Sequence, residues 1–325
     1  SNLGRNTCNR MNDELYLFEL PPADLKIADK KFRERNPIWT GCKAKLIERY
    51  LYYFVQITHH GNYIDGFAGP QETDKDKEDT WSAKLVIESA PRWLRNFYLF
   101  EIESPKIDRI NEMIAAQPKA DRSKGESNRV FKVFPGDFNI NIGRMLNEYP
   151  IKETEASFCL LDQRTFECDW ASVKQLATHK KGGNKIELFN FFAAGWLNRS
   201  ICAVKNDKEE RMEKWWGNSE WPKLLEIKGV ERVQFVANRF TSELGYKYAY
   251  PFPIYEKQGG QGRVMYYMIH ASDHGEAPML MNRAYGKAQE IKEPQEQLDL
   301  FIKKSGNGPQ RSEEHTSELQ SLAYL

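Results

Sequence analysis

The chain has 325 residues, 40% of them hydrophobic and 13% aromatic, with a formal net charge of +1. That is enough for one large α/β domain or two smaller ones with a real core, and no apolar run approaches the ~18 residues of a membrane span or forms a signal-peptide segment. Near-neutral charge excludes a strong global pull toward nucleic acid or anionic membrane, though a local basic face is still allowed.

Residues 1–36 mix charge with Pro21-Pro22 and read as an N-terminal arm. Trp39–Thr58 reads as a helix that Thr40 can cap, with Leu46, Tyr50, Tyr53, Phe54 and Ile57 at helical spacing. Tyr63–Asp65 is a short buried strand running into the turn Gly66-Phe67-Ala68-Gly69-Pro70. Glu72–Thr80 is a charged loop or helix start, and Trp81–Arg95 is helical with a break near Pro91. Asn96–Glu103 is a second strand, Pro105–Ala116 a helix and Pro118–Asn128 a loop. Val130–Phe134 is a third strand, followed by Pro135-Gly136-Asp137 and a helix through Leu146. Ala156–Leu161 is a fourth strand, ending at Asp162-Gln163-Arg164. A helix covers Trp170–Thr178, and Lys185–Phe192 is a fifth strand.

Residues 198–232 form a charged, Trp-rich helical insertion. Tyr246–Tyr255 and Val264–Ala271 are strands joined by the flexible Gly259-Gly260-Gln261-Gly262. Pro278–Gln289 is helical, and 290–310 is a tail. Arg311–Ser321, RSEEHTSELQS, is the forward translation of a common sequencing adaptor, so 311–325 is set aside as read-through. Strands alternating with helices imply parallel pairing and right-handed crossovers. The expected fold is α/β: a doubly wound, mostly parallel, Rossmann-like sheet over 37–289, with a terminal antiparallel hairpin.

In such sheets ligands sit at the carboxyl ends of the strands. Three acids fall there in order: Asp65, Glu101 and Asp137. Gly69 would let backbone approach a ligand, and an acid after the second strand can accept hydrogen bonds from ribose hydroxyls. Asp65, Phe67, Gly69, Glu101 and Asp137 are therefore candidates for a nucleotide-cofactor pocket. The competing reading is that the acids cap helices and Gly69 serves a turn. The cysteines are Cys8, Cys42, Cys159, Cys168 and Cys202, odd in number and without a C-x-x-C pair. They point to neither a disulfide framework nor a zinc site, and a cytoplasmic protein is the default.

Asp65-Gly66-Phe67-Ala68-Gly69-Pro70 resembles the D-x-F-A-G-x-G loop of S-adenosylmethionine-dependent methyltransferases, with Gln71 where the last Gly would stand. A closer resemblance covers most of Pro37–Gln289. NPIWT, YIDGFAGP, FYLFEIE, PGDFN, LLDQRTFECDW, KIELFNFF and HASDHG are together similar to the three-Cys-motif partner protein family (TcmP), which is associated with bacteria and phage-like elements. The resemblance implies a class I methyltransferase-like fold, with S-adenosylmethionine as the cofactor. It also implies pairing with a separate protein that carries three cysteines.

On that resemblance Asp162, Gln163 and Arg164 occupy the place where amino-methyltransferases hold the target nitrogen, and are the candidate catalytic, substrate-facing group. The bland alternative is a structural network around Arg164. Cys168 could be a thiolate nucleophile, but Glu167 and Asp169 beside it oppose ionisation. Trp196 and Arg199 could stack on and clamp a planar substrate such as a base, with nucleic acid one acceptor this would allow. Against these stand core packing for Trp196 and the surface for Arg199. His270, Asp273 and His274 suggest a metal only weakly, and no metal is expected. Trp215, Trp216 and Trp221 read as packing or a partner surface. Two functions follow: a methyltransferase, or a non-catalytic subunit whose cleft binds the three-cysteine protein.

Overall fold

A computed structural model describes residues 38–71, 80–204, 207–256 and 263–288. The N-terminal arm, the charged stretch 72–79, residues 205–206, the glycine-rich connection at 257–262 and everything beyond Ala288 lie outside the described residues. The elements in order are α1 (Ile38–Thr58), β1 (Gly61–Asp65), α2 (Ser82–Glu88), β2 (Leu94–Glu101), α3 (Ser104–Ala115), β3 (Val130–Pro135), α4 (Phe138–Glu148), β4 (Ser157–Leu161), α5 (Trp170–His179), β5 (Glu187–Phe192), α6 (Leu197–Ala203), α7 (Lys208–Trp216), α8 (Lys223–Glu226), α9 (Gly229–Ser242), β6 (Tyr248–Tyr255), β7 (Val264–Ser272) and α10 (Ala277–Ala288).

The strands form one seven-stranded sheet in the order β3-β2-β1-β4-β5-β7-β6. The pairings from β3 through β5 are parallel, and β7 runs antiparallel to both β5 and β6. This is a mixed α/β protein with a mostly parallel sheet. Every residue of β1, β4, β5 and β7 is buried, as strands covered on both faces must be. Aromatic rings ladder across neighbouring strands, Phe97 on Phe131 and Phe100 on Phe134 at 4.8 Å each. Burying one such ring stabilises by roughly 1.5–3 kcal/mol. Against the sheet, α1 packs with α2 and α10, while α5 packs with α4 and α7. Among the described residues no helix is long and apolar enough to cross a membrane.

Several strand ends shift by two residues, β2 ending at Glu101, β5 starting at Glu187 and β6 at Tyr248, and two boundaries differ more. The helix expected over Trp81–Arg95 stops at Glu88, and Leu94 and Arg95 already belong to β2. Ser89 is extended, and Ala90 precedes a proline that opposes helical backbone. The helical insertion also continues past 232, because α9 runs to Ser242. Its Val233, Val236, Ala237 and Phe240 are buried at helical spacing.

Candidate functional site

A cavity of about 300 Å³ opens where the chain leaves the carboxyl ends of β1, β2, β3 and β4. This is the point where the strand order reverses, with β2 on one side of β1 and β4 on the other. Backbone bonds build its floor. The Gly66 N–H donates to Leu160 O at 2.9 Å, Ala68 N–H to Phe100 O at 2.8 Å and Gly136 N–H to Glu101 O at 2.9 Å. The turn after β1 is thereby tied to both neighbouring strands. The Trp81 indole N–H closes the turn from α2, donating to Ala68 O at 2.6 Å.

Asp65, Phe67, Gly69, Glu101 and Asp137 all line this cavity. Asp65 ends β1 and is 1% exposed. It accepts from the Tyr63 hydroxyl at 2.8 Å and the Phe67 N–H at 3.1 Å. Burial pushes its carboxyl up to about 7; the two hydrogen bonds pull it down, while the Asp162 and Glu101 charges push it further up. Glu101 ends β2 and accepts from three backbone N–H groups: Gly69 at 3.0 Å, Ile102 at 2.8 Å and Glu103 at 2.9 Å. A carboxylate offers about four acceptor sites, so most of its capacity is already taken. Asp137 caps α4 through the Asn139 N–H at 2.6 Å.

Gly69 serves a different purpose from the one its sequence context suggested. A Cβ there would stand 2.1 Å from Glu101 Oε2 and 2.8 Å from the Lys106 side chain. The space freed by the missing side chain holds the Glu101 carboxylate. Gln71 is exposed and lines the cavity.

The triplet after β4 divides. Asp162 lines the cavity, with its Oδ2 on the ammonium of Lys43 from α1. Gln163 turns away and is buried, its Oε1 accepting from the Cys168 N–H at 3.0 Å. Its amide holds the loop, and it is not among the residues lining the cavity. Arg164 lines the cavity, is largely exposed, and lies 3.8 Å from Glu103 Oε1. Glu103 also takes Lys106 at 2.6 Å, and the hydrogen bond from that ammonium lowers its carboxyl pKa. Asn139 of α4 secures the loop from the other side. It donates to Glu167 O at 2.7 Å and accepts from the Asp169 N–H and Ser172 Oγ at 2.8 Å each.

Cys168 is buried, and burial pushes its thiol far up, with the Asp169 charge adding to the effect. A protonated, enclosed thiol is a poor nucleophile. Trp196 and Arg199 follow β5 but are not among the residues lining the cavity. Trp196 packs instead with Phe191 and Tyr266, each at 6.3 Å, and Arg199 is exposed. His270 lies 3.1 Å from Glu187 Oε2, which also accepts from the Tyr50 hydroxyl at 2.5 Å. Asp273 accepts from the Lys185 and Lys247 N–H groups at 3.1 and 3.0 Å. Among the described residues no cluster of three His, Cys, Asp or Glu is placed to hold a metal ion.

A second, larger groove of about 620 Å³ lies between α5, α7 and α9, lined among others by Trp170, Lys174, Glu213 and Arg239. The Arg239 guanidinium sits 4.1 Å from the Trp170 ring and 3.7 Å from the Trp216 ring, and pairs with Glu243. Trp215, Trp216 and Trp221 are buried, the packing alternative of the sequence reading.

Lys43, Lys106 and Asn139 were not legible as site residues. Lys43 and Asn139 meet their partners only through the tertiary fold, while Lys106 pairs with Glu103 three residues away at the start of α3. No protein-family model and no curated protein matches the chain.

Proposed function

We propose that this chain is a methyltransferase-like protein of the three-Cys-motif partner type that binds S-adenosylmethionine in the cavity above β1. The observation that carries the reading is the joint lining of one cavity by the ends of β1, β2, β3 and β4 at the reversal of strand order. Right-handed crossovers on that order would put helices on both faces, the doubly wound arrangement. Glu101 keeps one acceptor site for a ribose hydroxyl. Beside it, Ile102 is 66% exposed and lines the cavity, which gives a base an apolar face. A cavity of about 300 Å³ is at the small end for a ligand of this size, within the usual range.

The acceptor would meet the reactive end of the cofactor near Asp162 and Arg164, with nucleic acid one candidate class. Proton removal from an acceptor there would fall to Asp162 or to solvent. Lys43 on Asp162, together with the three N–H groups on Glu101, favours the second reading. Groups committed to holding the fold suit a non-catalytic subunit that uses the cleft to dock a three-cysteine protein.

Isothermal titration with S-adenosylmethionine separates the two. The methyltransferase-like reading predicts binding to the wild-type chain, weakened at least about ten-fold in Ile102→Ser, which removes the apolar face without adding charge and whose exposed position spares the fold. No heat of binding at millimolar ligand, from a folded chain, would leave the docking subunit as the reading to pursue.

A further inference from the structure

Lys43 sets the charge of the cleft wall without lining it. It stands early in α1 and is 3% exposed. Its ammonium rests on Asp162 Oδ2 and lies 5.6 Å from the centre of the Tyr266 ring. The Asp162 side chain is 11% exposed and faces the cavity that Lys43 does not reach. A cation so far from water persists only against a close, ionised partner, so the pair is part of the built interior rather than a surface contact. Among the described residues the acids in the cavity wall are Asp65, Glu101, Glu103, Asp137, Asp162 and Glu167, against two cations, Lys106 and Arg164; with its carboxyl pushed up to about 7, Asp65 is only part-ionised at neutral pH. Both of those cations fall on Glu103. Lys43 is the cation that relieves Asp162.

We propose that the cleft selects its ligand by charge, favouring a cation over a neutral molecule of the same shape, and that Lys43 limits this preference by neutralising Asp162 from behind the wall. The proposal rests on the cofactor reading above. There the sulfonium ligand becomes a neutral thioether once its methyl group has passed to the acceptor, which gives up a proton in exchange. A cation-selective cleft therefore holds unspent cofactor and releases the spent form. Lys43 keeps the discrimination from becoming so strong that it traps the cation.

The test is the ratio of affinities for S-adenosylmethionine and S-adenosylhomocysteine, by titration at low salt, in wild type, Lys43→Met and Lys43→Met/Asp162→Asn. Circular dichroism checks that each is folded. The wild type binds the sulfonium more tightly. Lys43→Met raises the ratio at least about ten-fold, the effect of one unit charge within roughly 12 Å of the ligand's cation at an effective dielectric constant of about 20. The double variant returns the ratio to near the wild-type value. If Lys43→Met does not fold, Glu103→Gln carries the charge-selection test: it removes a half-exposed wall carboxylate and lowers the ratio a few-fold. An unchanged ratio with both ligands still bound overturns the proposal and leaves the cofactor reading standing. Binding of neither ligand to the wild type overturns both.

Discussion

At Asp65 a carboxyl group is held where water does not reach it. Its raised folded-state value, about 7 against roughly 3.9 for an unfolded chain, has a direct consequence for stability. Below about pH 4 the group is protonated in both states and contributes nothing. As pH climbs toward 7 the unfolded chain releases its proton first, and the native state loses ground by about 4 kcal/mol. Asp65→Asn removes the titration. In urea unfolding, the variant should therefore gain on the wild type between pH 4.5 and 7.5, and parallel pH curves would contradict the account. Gly69→Ala acts through shape instead. The added methyl meets the Glu101 carboxylate, so either the side chain or the turn must shift. The expected cost is about 1–3 kcal/mol, read as a lower denaturation midpoint with unchanged slope.

The cysteines are a third test at this scale. Cys159 and Cys168 are buried and Cys202 is exposed. Of these three, native-state alkylation at pH 7.5 should label Cys202 first. Early labelling of Cys168 would revive it as a nucleophile. The flanking acids Glu167 and Asp169 were visible in the sequence. The deeper cause of its inertness, enclosure under the Gln163 and Asn139 contacts, was not.

At the scale of elements, the loop between β4 and α5 is held by Asn139 more than by any residue of its own. Asn139→Ala removes one donor and one shared acceptor from three bonds, with an expected loss of about 2 kcal/mol. Amide exchange across 163–169 should quicken more than exchange in β4. Uniform quickening would mean that the effect is global. The strands were legible because their apolar runs are short, bounded by polar turns and separated by amphipathic helices. The Trp81–Arg95 region misled because an apolar run flanking a proline does not say which side is helix and which is strand. The end of the helical insertion was missed because charged residues of α9 such as Arg232 and Arg239, both buried, blur its apolar stripe. Arg239 belongs inside because two indole rings and Glu243 receive it, and none of these partners is visible from the local pattern.

At the scale of the whole molecule, the acids at the ends of the first three strands were placed by order alone, and the cavity brings them together. Trp196 and Arg199 share the β5 end of the sheet without joining that cavity, because the register of β5 against β7 draws Trp196 onto Tyr266. What the sequence hid was the network of partners that restrains each acid: Lys43 on Asp162, and the backbone N–H groups on Glu101. These set how much of the site remains available to a ligand. The central claim is that S-adenosylmethionine occupies this cavity rather than the groove beside Arg239. Ultraviolet cross-linking of methyl-labelled S-adenosylmethionine to the folded chain, followed by peptide mapping, tests it most directly. The account predicts label on peptides spanning 65–71 or 101–106, displaced by unlabelled S-adenosylhomocysteine. Label confined to peptides around Trp170 and Arg239, or no displaceable label, would contradict it.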